Sequence, residues 1–181
     1  MMRYLNVLGL LALEAVLAFA LYDQFFQHDL PCPLCLLQRL AFVACMFAVM
    51  LNIIYGVKPW HYGLLVLSAI YGAAVSLRQA SLHVIPGSPA YGDSFFGLHY
   101  YTWAFIVFSI ILLITAFLLL LQGQYVNEED GFIRWKDRPW WANSVMVVGI
   151  LIVLLNAGLA LLECGFGACA DNPENYRLLI P

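Results

Sequence analysis

Polar and apolar positions along this 181-residue chain fall into long blocks rather than a short alternation. Five apolar blocks stand out, at approximately 5–24, 34–55, 61–82, 99–121 and 141–162. A helical crossing of a bilayer takes about 20 apolar residues, so each block predicts one transmembrane helix. The connections are short. Lys58-Pro59-Trp60 closes the link between the second and third blocks, and a polar stretch from Gln122 to Arg138 separates the fourth from the fifth. The expected fold is all-α: one integral membrane helical bundle over 1–181, with a four-helix core over 1–121, a loop at 122–140, a fifth transmembrane helix at 141–162 and a tail at 163–181.

The first block also has features of a cleaved signal peptide, with Arg3 as a charged start and Ala18-Phe19-Ala20 as a cleavage-like site. Its length and Glu14 in the middle of the apolar run count against cleavage. We read it as a retained helix.

Composition supports the membrane reading. The chain is 64% hydrophobic and 10% charged, with a mean hydropathy of +0.85, whereas soluble domains are about 25% charged. A net charge of −3 is too small to imply nucleic acid or another polyanionic partner. No internal repeat or low-complexity linker is present.

Lys and Arg set the orientation. With an inner N-terminus, Arg3, Lys58, Arg134, Lys136 and Arg138 fall inside, five of the eight basic residues. Arg39, Arg78 and Arg177 fall outside. Trp60, Tyr62, Trp140 and Trp141 then mark the inner interface, and Tyr100, Tyr101 and Trp103 the outer one. Four of the five cysteines follow to the outer face: Cys32 and Cys35 after the first helix, Cys164 and Cys169 after the fifth. That is the oxidising side.

Cys32-Pro33-Leu34-Cys35 carries the most chemistry. Two thiols separated by two residues can close and reopen a small disulfide ring, a two-electron switch. Pro33 suits the first turn of a helix, which places Cys32 near the N-cap and Cys35 at the positive end of the dipole. Arg39, one turn on, adds a cation that favours a thiolate. The competing readings are a static disulfide or part of a four-thiolate zinc site. Cys164-Gly165-Phe166-Gly167-Ala168-Cys169 is either a tail staple or the relay partner of the first pair, since exchange needs only a thiolate and an accessible disulfide. Cys45, deep in the second block, reads as a small buried hydrophobe.

Arg39 in an outer helical turn calls for compensation. It can snorkel to headgroups, pair with a thiolate at Cys35, or donate to a quinone carbonyl. Gln79 and His83 lie one turn apart at the outer end of the third helix and face the same way, as candidate donors to the same quinone. His28, His83 and His99 are all outer-side, but no histidines pair at metal-ligand spacing along a helix, and no metal site is expected. Glu14 is an intramembrane ionisable group with two open readings, proton handling or a packing hydrogen bond.

The first helix, then Pro-Cys-Pro-Leu-Cys-Leu-Leu-Gln-Arg, then two helices joined by a short loop, resembles the disulfide bond formation protein B (DsbB) family. Gly97-Leu98-His99-Tyr100-Tyr101-Thr102-Trp103 resembles the same family, and the likeness runs over roughly residues 1–121. It implies a quinone-linked thiol oxidase of the bacterial inner membrane. Such an enzyme reoxidises a periplasmic thioredoxin-like dithiol oxidase (DsbA-like) and passes electrons to ubiquinone or menaquinone. The resemblance makes Cys32 and Cys35 the quinone-proximal pair, with Cys35 the thiolate that engages the quinone and Arg39 its stabiliser. With the orientation that Lys and Arg set, a bacterial inner-membrane location puts the cysteine pairs on the periplasmic face and the 122–140 loop in the cytoplasm.

Two departures are visible. The family often has His then Gln, four apart, where this chain has Gln79 then His83. Its second cysteine pair lies between helices three and four, yet Val84 to Leu98 holds no cysteine and reads as a turn-rich loop with Pro86, Gly87, Pro89 and Gly92. Cys164 and Cys169 are expected to replace that pair, which makes the catalytic set Cys32, Cys35, Cys164 and Cys169. Two rival functions stand beside this one. A reductase exporting electrons would need an inner-face thiol pair, and the inner loops have none. A non-catalytic assembly or chaperone protein would use its cysteines structurally or to bind metal.

Overall fold

The computed structural model describes residues 2–27, 29–83, 94–125 and 132–179. His28, most of the turn-rich loop (84–93) and part of the polar stretch (126–131) lie outside the described residues. Five helices follow the five apolar blocks to within a few residues: α1 (Met2–Tyr22), α2 (Pro33–Tyr55), α3 (Pro59–Leu82), α4 (Tyr100–Leu120) and α5 (Trp140–Cys164). All five are long and apolar enough to cross a membrane.

Their ends are set by local chemistry. Pro33 and Pro59 open α2 and α3 at positions where a missing N–H costs nothing. Gly56 and Gly165 close α2 and α5 with positive φ, which residues with a Cβ rarely adopt. Beyond α1 the chain tightens into a π-helical turn, Asp23–Gln27. Before α4 a small hairpin pairs β1 (Ser94–Phe95) with β2 (Leu98–His99).

The helices pack as α1 on α2 and α5, α2 on α3, and α3 on α4. In lipid, apolar area alone does not drive helices together, so close approach at small residues matters. Gly72 of α3 is such a place, because a Cβ there would overlap the Phe108 ring of α4. Phe108 in turn stacks on Phe42 of α2 with ring centroids 4.1 Å apart. Gly149 of α5 is another. A Cβ there would come within 2.6 Å of Glu14 Oε1 and 2.8 Å of Met50 Cε. Glu14 therefore sits buried in the α1–α5 seam, and its Oε1 has no hydrogen-bond partner among the described residues. Cys45 is a free, fully buried thiol in the apolar core.

A polar knot ties the end of the bundle away from the thiols. Asn52 Nδ2 donates to Asn6 Oδ1 at 3.0 Å, and Asn52 Oδ1 lies 2.8 Å from His61 Nδ1. Tyr62, expected at the interface, is instead buried here and donates to Gln124 Oε1 at 3.2 Å. Tyr101 is likewise buried, its ring stacked between those of His83 and His99. A phenol with partners inside the bundle gains more there than in the headgroup layer. Trp60 and Trp140 remain exposed, as interfacial anchors are.

Candidate active site at the thiol end of the bundle

Cys32 is the N-cap of α2, in extended conformation, and its Sγ accepts a hydrogen bond from Cys35 N at 3.2 Å. The motif thus caps its own helix and aims the positive end of the dipole at both sulfurs. The two are disulfide-bonded, with Cα atoms 5.0 Å apart. Cys32 is buried, whereas Cys35 is half-buried and faces a cavity.

The last turn of α3 brings Gln79 against this pair. Gln79 is 1% exposed, and its Nε2 donates to Cys32 Sγ at 3.3 Å and Cys35 Sγ at 3.4 Å. Its Oε1 accepts from Gln38 Nε2 at 2.7 Å, which fixes which way the amide points. A primary amide with both ends engaged thus presents N–H groups to two sulfurs. Such donors stabilise a thiolate more than a neutral sulfur.

Arg39 points the other way, into the seam of α1, α2 and α5. It donates to Gln24 Oε1 at 2.6 Å, Ala20 O at 3.0 Å and Asn156 Oδ1 at 3.5 Å. Gln24 comes from the π-helical turn, which lifts a buried amide towards the guanidinium. The carboxyl groups of Glu163, Asp23 and Asp29 stand near enough to offset its charge. The compensation is therefore protein, and snorkelling is not needed.

Around these groups lies an apolar cavity of about 410 Å³. Cys35, Gln38, Arg39 and Gln79 with the acids Asp23 and Asp29 supply its polar points, and apolar side chains of α1 and α4 with Phe95 supply most of the rest. Tyr100 at its rim donates to Asp23 Oδ1 at 3.3 Å. His83 is not on this wall. It ends α3, where its ring turns back so that Nδ1 lies 2.8 Å from Gln79 O, and it stacks on Tyr101 with centroids 5.3 Å apart.

The tail pair lies at the same end of the bundle but off the cavity wall. Cys164, the last residue of α5, is bonded to Cys169 with Cα atoms 4.4 Å apart. The chain then folds back over the helix end, where Arg177 N donates to Glu163 O at 3.4 Å and Leu178 N to Leu162 O at 3.1 Å. Tyr176 OH accepts from Gln24 Nε2 at 3.0 Å, so Gln24 touches both the tail and Arg39. Beneath that fold Glu163 is 3% exposed, with neither carboxylate oxygen hydrogen-bonded among the described residues.

Of the expected site residues, Cys32, Cys35, Arg39 and Gln79 converge, His83 stands behind Tyr101, and Cys164–Cys169 lies off the cavity wall, in a tail whose Tyr176 reaches Arg39 through Gln24. Gln38, Gln24, Asn156 and Glu163 were not singled out from sequence. Gln38 stands inside the Leu-Leu-Gln-Arg run, three residues after Cys35. Asn156 is a polar group within the fifth apolar span, the signal that could have marked it, whereas Glu163 fell one residue beyond the expected end of that span.

A family model for disulfide bond formation protein DsbB matches residues 2–91, which span α1 to α3 and include Cys32, Cys35, Arg39, Gln79 and His83. A disulfide bond formation protein B of Hahella chejuensis is 30% identical over 146 residues, 76% of this chain and 83% of the relative. The chain belongs to the DsbB family. A DsbB relative from Chromobacterium violaceum is 29% identical over 148 residues, covering 78% of this chain and 83% of its own. One from Burkholderia thailandensis is 39% identical over 90 residues, about half of each chain (47% and 52%). No solved structure matches. As a DsbB-family protein, the chain is a multi-pass membrane protein of disulfide bond formation and a disulfide oxidoreductase. The tail pair lies beyond the segment that the DsbB family model matches.

Proposed function

We propose that this protein oxidises a periplasmic thioredoxin-like dithiol oxidase (DsbA-like) and passes the electrons to a quinone in the bacterial inner membrane. The observation that carries the reading is Cys35 on the wall of an apolar cavity whose few polar groups are Gln38, Arg39 and Gln79 beside two acids. The volume lies in the range of about 300–1,000 Å³ common for ligand sites.

A quinone fits these residues by its chemistry. Its hydrocarbon body suits the walls from α1 and α4, and its carbonyl oxygens need donors. Gln79 gives its N–H groups to the two sulfurs and Gln38 gives one of its two to Gln79 Oε1, whereas Arg39 has five N–H groups, uses three and carries a full positive charge. Arg39 is therefore the group that would hold a carbonyl oxygen. When bound, ubiquinone or menaquinone would supply a two-electron acceptor next to Cys35.

The protein's own residues do the rest. The partner's thiolate attacks the Cys164–Cys169 disulfide, and the mixed disulfide resolves to oxidised partner and two tail thiols. Those thiols reduce Cys32–Cys35 by exchange. The α2 dipole and the Gln79 amide hold Cys35 as thiolate, and the guanidinium of Arg39 offsets charge developing in the cavity. The bias of Lys and Arg towards the opposite end supports a periplasmic placement of the thiol end.

The test mixes purified protein, ubiquinone and a reduced thioredoxin-like oxidase and follows quinone absorbance. Stoichiometric quinone loss with partner oxidation is expected. No loss with either ubiquinone or menaquinone defeats the proposal.

A further inference from the structure

We propose that the ring closed by Cys164–Cys169 is the docking element for the dithiol partner, attacked at Cys169 with Phe166 as its apolar contact. This rests on the relay proposed above and adds the order of attack and the surface that recognises the partner.

The two sulfurs of the tail pair are not equivalent. Cys164 is 8% exposed, at the buried end of α5 and beneath the returning tail. Cys169 is half-buried, in the extended chain beyond the helix. Thiol exchange depends on which sulfur an incoming thiolate can reach, and that is Cys169. The tail turn that donates to Leu162 O and Glu163 O lies back on the helix end that carries Cys164.

The four residues inside the ring add a second, independent observation. Phe166 is 96% exposed between Gly165 and Gly167, at the end of the bundle rather than along a spanning helix. Almost all of its surface is open, and any thiolate brought to Cys169 carries its own protein surface across this ring. A partner whose reactive cysteine is bordered by apolar surface therefore buries Phe166 on docking. Arg177 braces the ring from below: its Nη1 donates to Ala168 O at 2.7 Å, directly before Cys169. That guanidinium places positive charge where a thiolate has to approach.

The step is balanced. The partner's thiolate forms a bond to Cys169 Sγ, the Cys164–Cys169 bond breaks, and its electron pair remains on Cys164 Sγ as a thiolate. One thiolate is consumed and one produced. The new nucleophile is the inward sulfur, on the helix whose Asn156 already meets Arg39.

The experiment traps this step. Full-length protein in membranes is mixed with a thioredoxin-like oxidase that keeps only the attacking cysteine of its Cys-x-x-Cys pair, and the adduct is mapped by fragmentation between residues 164 and 169. Linkage to Cys169 is expected. Linkage to Cys164 overturns the order of attack while leaving the relay intact. Linkage to Cys32 or Cys35, or no adduct, overturns the relay itself. In turnover assays with the intact oxidase, Phe166→Ala is expected to raise KM for the partner roughly tenfold with kcat unchanged, and Phe166→Leu to recover most of it. An unchanged KM in Phe166→Ala overturns the docking role.

Discussion

Replacing Gln79 by methionine separates what this amide does for the sulfurs from what it does for the bundle. The substitution keeps length and most of the volume but removes the N–H groups 3.3 and 3.4 Å from the two sulfurs. In the reduced protein the bond to a Cys35 thiolate is charge-assisted and contributes about 1.5–3 kcal/mol. In the disulfide the same N–H meets a weak acceptor. About 1.4 kcal/mol corresponds to 30 mV for a two-electron couple. Gln79→Met is therefore expected to make the Cys32–Cys35 couple roughly 30–60 mV more reducing. It also leaves Gln38 Nε2 without its acceptor at 2.7 Å, an orphaned buried donor costing about 1–3 kcal/mol of stability. Converting both glutamines to methionine removes that orphan. The double variant should recover thermal stability yet keep the shifted potential. Equilibration in glutathione buffers with a thiol-alkylation mobility shift reads the potential, and detergent thermal denaturation reads stability. An unchanged potential in Gln79→Met refutes the donor argument, and a double variant as unstable as the single one refutes the orphan argument.

Other expectations follow from the same contacts. Changing both Cys164 and Cys169 to serine should abolish steady-state quinone reduction with the protein partner while a small dithiol still reduces Cys32–Cys35 directly; unchanged turnover with the partner sinks the relay. Arg39→Met should raise KM for quinone more than KM for the partner, and it should cost stability because Gln24 Oε1 and Ala20 O lose their donor, at about 1–3 kcal/mol for each group left buried. Arg39→Lys, a point charge on a flexible stem, should restore only part of this. Gly149→Val should loosen α5 by overpacking against Glu14 and Met50, about 1–3 kcal/mol, read as faster proteolysis of the 132–140 segment.

The five helices were legible because a bilayer demands long apolar runs, and those runs are hard to confuse with anything else. The N-cap role of Cys32 was legible from Pro33 alone. The site around it was less so, because its contacts join residues far apart in the chain: Gln79 with Cys32, Asn156 with Arg39, Tyr176 with Gln24. Helical periodicity places Gln79 and His83 on one face, yet only Gln79 reaches the cavity. At His83 the backbone leaves the helix, with φ −108° and ψ 4°, and the ring folds back on the preceding turn. Tyr62 shows the same limit. An aromatic at a helix start reads as an interfacial anchor, and only the position of Gln124 reveals an inner partner for its hydroxyl.

The amide of Gln24 has a consequence that reaches beyond geometry. It holds the tail through Tyr176 with one end and Arg39 with the other, so two consecutive hydrogen bonds connect the tail beyond the Cys164–Cys169 ring to a side chain on the cavity wall. Sites that share a bond network share free energy, and such coupling is reciprocal. If a quinone drawing on Arg39 alters the hold on Gln24, then a partner pulling at the tail must alter quinone affinity by the same factor. Loading at one end of the relay and release at the other become a single equilibrium, adjustable through one glutamine.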